Sequence, residues 1–111
     1  MSKRDHLGEF EQLTLLAILR LGPNAYGMTI RREIEERAGR ATAIGALYLT
    51  LERLEQKKFI SSELGEATAE RGGRAKRFFT LNPSGREALK KSLEAVRKMA
   101  HGCFPAPEAT I

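Results

Sequence analysis

The side chains able to act as acids, bases, nucleophiles or metal ligands are few and scattered in this chain of 111 residues. His6 and His101 lie at opposite ends, and Cys103 is the single cysteine. One cysteine excludes an intrachain disulfide and any multi-cysteine zinc site. It reads as an ordinary thiol near a loose tail, since a redox sensor needs a low-pKa exposed thiolate and often a resolving partner. Glu63 and Glu66 flank a hairpin and do not make an acid–base pair. There is no His-Glu-x-x-His, phosphate loop, dinucleotide glycine fingerprint or nucleophile elbow, so neither catalysis, a cofactor nor a bound metal is expected. The chemistry that remains is charge neutralisation. Between Arg71 and Arg77 stand Arg71, Arg74, Lys76 and Arg77, with a Gly72-Gly73 pair and no acidic residue. A cationic loop of this kind neutralises phosphates, with affinity supplied by released counterions. The plainer reading is a solvated loop made basic for solubility.

Whole-chain charge points the same way. The 19 Lys+Arg against 14 Asp+Glu leave a net charge of +5, which suits a polyanion, either nucleic acid or an anionic membrane surface. The longest apolar run, residues 13–21, is too short to span a bilayer and is interrupted by Thr14 and Arg20. The N-terminal residues carry charge without an apolar core and do not resemble a signal peptide. A cytoplasmic protein without a membrane partner is expected.

The elements that must carry the basic loop can be read from periodicity. Residues 8–21 are apolar around most of a helical circumference, at Phe10, Leu13, Leu15, Leu16, Ile18, Leu19 and Leu21, the pattern of a helix covered on several sides. Gly22-Pro23 stops it. Asn24 is expected to cap a second helix over about residues 25–38, with Ile30, Ile34 and Ala38 on one face and a charged face paired at i, i+4. Thr42 is expected to cap a third, over about residues 43–58.

The tight turn between these two makes them a helix-turn-helix candidate. In the third helix Ile44, Leu47, Leu51 and Leu54 point inward. Gly45, Leu49, Glu52 and Arg53 face outward with Tyr48 on the flank. A core helix explains the leucines but not the small residues Thr42, Ala43, Gly45 and Ala46, which allow close approach to a major-groove floor. Tyr48 can reach a phosphate, and Leu49 can meet thymine methyl groups. Glu52 would repel phosphate and is expected to pair with a nearby arginine. With few base-reading side chains, sequence preference should lean on DNA shape and on two half-sites.

After the third helix the period changes to two. Ile60, Ser62 and Leu64, then Phe79 and Leu81, mark two short strands joined by residues 65–75. Asn82-Pro83 opens a last helix. Its Leu89, Leu93, Val96 and Ala100 recur at 4-3-4 spacing, a seam for a second copy. About fifteen residues of such a seam are marginal alone, so the first helix should share the interface.

The expected fold is mainly α with a small β-hairpin (α+β): a winged helix-turn-helix over residues 1–81, a dimerisation helix over residues 82–100, and a flexible tail over residues 101–111. The favoured function is sequence-specific binding of double-stranded DNA by a homodimer. Docking of an acidic protein partner on the same helix and wing, or non-specific nucleic-acid binding, remain as alternatives.

This ordered set resembles the PadR-like transcriptional regulators, from Phe10 to about Met99. Carrying it are the Leu13-to-Leu21 run followed by Ala25-Tyr26-Gly27, and Gly45-x-Leu47-Tyr48-x-x-Leu51-x-Arg53-Leu54-Glu55. The wing Gly73-Arg74-Ala75-Lys76-Arg77-Phe78-Phe79-x-Leu81 and the helix start Pro83-x-Gly85-Arg86 complete it. The length is similar to that of the family's short branch, with one C-terminal helix. The resemblance implies a homodimeric winged-helix repressor on a pseudo-palindromic operator, released by an effector or other signal of unspecified identity. It also implies that Tyr26, Tyr48, Arg74 and Lys76 lie at the DNA surface. Leu49 stands where the family often has proline. Phe79 and Asn82 replace a frequent tyrosine and a common threonine, changes conservative for packing and capping. Some short members stack flat aromatic compounds between tryptophans, and with no tryptophan in this chain that mode does not transfer.

Overall fold

Leucine and isoleucine spacing assembles a four-helix body around one hairpin. In the computed structural model, which describes residues 6–65 and 75–105, the order is α1 (Glu9–Leu21), a 3-10 turn (Gly22–Asn24), α2 (Gly27–Ala38), α3 (Ile44–Gln56), β1 (Ile60–Leu64), β2 (Arg77–Leu81) and α4 (Pro83–Ala100). Leu15, Ala17 and Ile18 of α1 are buried, with Phe10, Leu13, Leu16 and Leu21 packed around them, so the helix is covered on several sides as its composition predicts. Thr14 in its middle is fully buried and donates its hydroxyl to the Phe10 carbonyl at 2.8 Å, which removes the cost of burying it unpaired. Gly22, at φ +57°, ends the helix.

The second helix starts two residues later than its sequence predicts, and Asn24 is not its cap. The Ala25 carbonyl accepts the Phe79 N–H at 2.8 Å, and Tyr26 forms an antiparallel bridge with Phe78. Backbone committed to β2 is extended and cannot also turn into helix. Thr29 serves the helix start instead: its Oγ1 accepts the Tyr26 N–H at 3.0 Å and donates to the Asn24 carbonyl at 2.6 Å. Ile30 and Ile34 are buried as expected, whereas Ala38 is exposed. The charged face pairs at i, i+4, Arg31 with Glu35 and Arg37 with Glu33.

Thr42 does not cap α3. It is buried, its hydroxyl donates to the Arg40 carbonyl at 3.0 Å, and its N–H donates to the Glu35 carboxylate at 3.2 Å. The turn itself takes up the side chain, leaving Ala43 at the cap position. In α3, Leu47, Leu51 and Leu54 are buried together with Thr50, and Ile44 is half-buried. The helix ends at Gln56 in a Schellman motif. The Phe59 N–H reaches the Leu54 carbonyl and the Lys58 N–H the Glu55 carbonyl, both at 3.0 Å, with Lys58 left-handed at φ +69°.

The strands pair antiparallel with Ile60 opposite Leu81 and Leu64 opposite Arg77. Ile60 and Phe79 enter the core, while Leu64 lies far out along the hairpin and is exposed. Asn82 occupies the cap position of α4 with Pro83 after it, yet its side chain serves the hairpin. Nδ2 donates to the Lys58 carbonyl at 3.0 Å, and Oδ1 accepts from Ser61 at 2.8 Å. A Cβ on Gly85 would stand 2.2 Å from the Phe59 carbonyl oxygen, so glycine lets α4 start flush against the α3–β1 junction. Ala88 and Leu89 then join the core. The opening turns of α4 therefore pack with α1, and the helix leaves the body only beyond Leu89.

One ion pair ties the start of α1 to the end of α3. Lys57 Nζ lies 3.1 Å from Glu11 Oε2, and the same carboxylate accepts the Gly8 N–H through Oε1 at 3.0 Å.

Candidate nucleic-acid interface

The face of α3 opposite its leucines is open. Ala43, Gly45, Tyr48, Leu49, Glu52 and Arg53 are all exposed, Leu49 to 61%, as helical spacing from the buried face requires. Thr42 departs from this set, because its side chain is turned into the α2–α3 turn. Glu52 makes no ion pair among the described residues, so the arginine partner expected for it is not found there. Glu55 is the engaged carboxylate: it accepts from Ser62 at 2.8 Å, and Ser62 accepts from Arg77 at 3.0 Å.

The wing meets this face at a small aromatic and cationic cluster. The Tyr26–Phe78 bridge sets the two rings edge to face, with centroids 5.4 Å apart and planes at 69°. Lys76 lies one strand repeat before Phe78, and its Nζ sits 4.4 Å from the centroid of the Tyr26 ring. That cation–π contact favours this position of the ammonium without neutralising it. Tyr26, Tyr48 and Lys76 border one open concavity of about 350 Å³ with Gly27, Met28 and Leu64. Three residues far apart in sequence are thus neighbours. Arg71 and Arg74, the other cationic residues expected here, lie outside the described residues.

Met28 stands outside every motif of the sequence, and Gly27 appears there only within Ala25-Tyr26-Gly27, without a role. The adjacent Tyr26 was the available signal, but that these residues line a surface follows only from the Tyr26–Phe78 bridge.

The seam expected on α4 divides in two. Leu89 is buried in this chain's own core and is not offered to a second copy, because α4 packs on α1 at that level. Leu93, Val96 and Ala100 are exposed, Val96 to 60%. Met99, exposed to 79%, extends the apolar strip at i+3 from Val96 and is not among the expected seam residues; Phe104, past the end of the helix, is exposed to 77%. Cys103 is exposed and free. Among the described residues no cluster of His, Cys, Asp and Glu could hold a metal ion, and no helix is long and apolar enough to cross a membrane.

Comparison with known proteins places this geometry. The sequence profile of the transcriptional regulator PadR-like family matches residues 15–91. No curated protein matches the chain. Among solved structures, a transcriptional regulator from Clostridium thermocellum is similar at 20% identity and a TM-score of 0.68, covering 81% of this chain and 84% of that one. A PadR-like transcription factor from Bacteroides fragilis is similar at 28% identity and a TM-score of 0.63, covering 82% and 84%. A complex of hsRosR-SG is similar at 25% identity and a TM-score of 0.68, covering 91% and 82%.

Proposed function

This chain belongs to the transcriptional regulator PadR-like family, whose members are DNA-binding regulators and not enzymes, and from that premise we propose a homodimeric repressor of a pseudo-palindromic operator. Two copies associate through the exposed strip of α4, at Leu93, Val96 and Ala100, and an effector or other signal releases the DNA. Residues 1–81 form the DNA-binding unit and residues 82–100 the dimer helix. The start of α3 enters the major groove, where Ala43 and Gly45 permit close approach and Leu49 meets thymine methyl groups. Tyr26, Tyr48 and Lys76, with Arg71 and Arg74 of the wing, hold the flanking phosphates.

The observation that carries this reading is the Lys76 ammonium 4.4 Å from the Tyr26 ring, beside the open face of α3. It favours a positive charge next to the surface that would lie in the groove, where it can orient a duplex as well as attract one.

The test is a titration of the purified chain against its own upstream DNA and a scrambled copy, by fluorescence anisotropy at low and physiological salt. An affinity ratio of about a thousandfold or more surviving at the higher salt is the expected result. Equal affinities that collapse with salt would reduce the wing to generic phosphate attraction. No binding at either salt would leave an acidic protein as the partner of the same face.

A further inference from the structure

Gly27 opens α2 in ordinary helical backbone, unlike Gly22, Gly39 and Gly102, whose φ values are positive. Conformational freedom therefore gives no reason for glycine at this position, and within a helix glycine is less favourable than alanine. The reason lies across the turn, in α3. A Cβ on Gly27 would stand 2.1 Å from the Tyr48 hydroxyl oxygen, 2.7 Å from its Cζ and 3.3 Å from its Cε1. The phenol of Tyr48 lies over the first turn of α2, in a slot that exists because residue 27 has no side chain. Gly27 is buried beneath it, while Tyr48 keeps 48% of its surface exposed. Both border the concavity that Lys76 also lines.

We infer that Gly27 is a positioning residue for DNA contact, seating Tyr48 so that its hydroxyl and the Lys76 ammonium act on the same stretch of phosphate backbone. This deepens the DNA-binding reading above and rests on it. The two contacts differ in kind. A lysine on a phosphate displaces counterions and contributes to the salt dependence of binding, whereas an uncharged phenol donates a hydrogen bond and does not. Alanine at position 27 forces the Tyr48 ring out of its slot. Because the ring is half exposed, that movement costs the fold little, but it shifts the hydroxyl relative to the concavity that Lys76 also lines.

The experiment compares the 111-residue chain with Gly27→Ala, Tyr48→Phe and the double variant, each titrated with the upstream duplex at several salt concentrations. Each single variant is expected to bind about tenfold more weakly, the scale of one hydrogen bond to a charged acceptor. The slope of log affinity against log salt should not change, and the double variant should bind no more weakly than Tyr48→Phe. In the DNA-free protein, an NMR cross-peak between the Gly27 Hα and Tyr48 Hε protons should be present and should disappear on replacing Gly27, with the melting temperature retained. Wild-type affinity in Gly27→Ala, or losses that multiply in the double variant, would overturn the inference while leaving DNA binding intact. So would a loss of affinity that tracks a lowered melting temperature, since that describes packing alone. A wild-type chain that binds no duplex would remove the inference together with the DNA-binding reading itself.

Discussion

Lys76 combines two properties that a phosphate contact requires. It immediately precedes β2, and its ammonium rests on the Tyr26 ring at 4.4 Å, an interaction worth about 0.5–1 kcal/mol at an exposed site. No acidic side chain pairs with it among the described residues, so the charge is held and still available. Lys76→Ala should therefore weaken binding about equally on operator and scrambled DNA and reduce the salt slope by about 1, and Arg74→Ala should do the same. Anisotropy titrations over a range of salt measure this directly, and an unchanged slope in both variants would take the wing out of the interface. Leu49, with an apolar side chain exposed to 61%, carries no charge, and in the proposed complex it meets bases, so its replacement should alter preference among sequences more than the slope.

The elements are joined at two places where local chemistry and long-range packing coincide. One is the end of α3, where Lys58 takes the left-handed conformation of a Schellman motif at φ +69°. The strain of that conformation for a residue with a Cβ is about 1–2 kcal/mol, and glycine is its usual occupant. Lys58→Gly should raise stability by up to about 1 kcal/mol, after the greater unfolded-state freedom of glycine is subtracted. That corresponds to a Tm increase of about 4–8 °C for a domain of this size, read by thermal unfolding. A lower Tm would mean that the lysine side chain contributes more than its backbone strain costs. The same junction anchors α4, because the Lys58 carbonyl accepts from both Asn82 and Ser84 and Gly85 lies against Phe59. The other place is residues 25 and 26, whose pairing with β2 fixes the hairpin relative to the start of α2.

At the scale of the whole molecule α4 carries an exposed apolar surface on its outer half. Its first turns share the core with α1, but Leu93, Val96 and Met99 face outward along a body 54 Å in its longest dimension. A row of large apolar side chains on an exposed helix is costly unless a partner covers it, and a second copy offers the same row. Leu93→Asp should give monomers by light scattering and sharply weaker operator binding, whereas a stable dimer would defeat that assignment. In the proposed dimer the two α3 helices should lie about 34 Å apart, one turn of duplex.

Periodicity determined most of the architecture, because burial of a helix face or a strand face repeats at 3.6 or 2 residues whatever lies opposite it. The buried leucines of α3, the many-sided burial of α1, the two strands and the Pro83 start of α4 were all legible on that ground. The outward set Tyr48, Leu49, Glu52 and Arg53 followed as the complement of the core. What the tertiary structure alone decided was where non-local hydrogen bonds and close approaches override local preference. Asn24 and Thr42 are both good caps by residue type, yet β2 holds residues 25 and 26 extended and the α2–α3 turn takes Thr42 inside. Leu89 is in register with Leu93 and Val96 but is buried by α1 instead of being left for a partner. The meeting of Tyr26, Tyr48 and Lys76 at one concavity has no signature along the chain, because it depends on a strand bridge between residues 52 positions apart and on the missing side chain of Gly27.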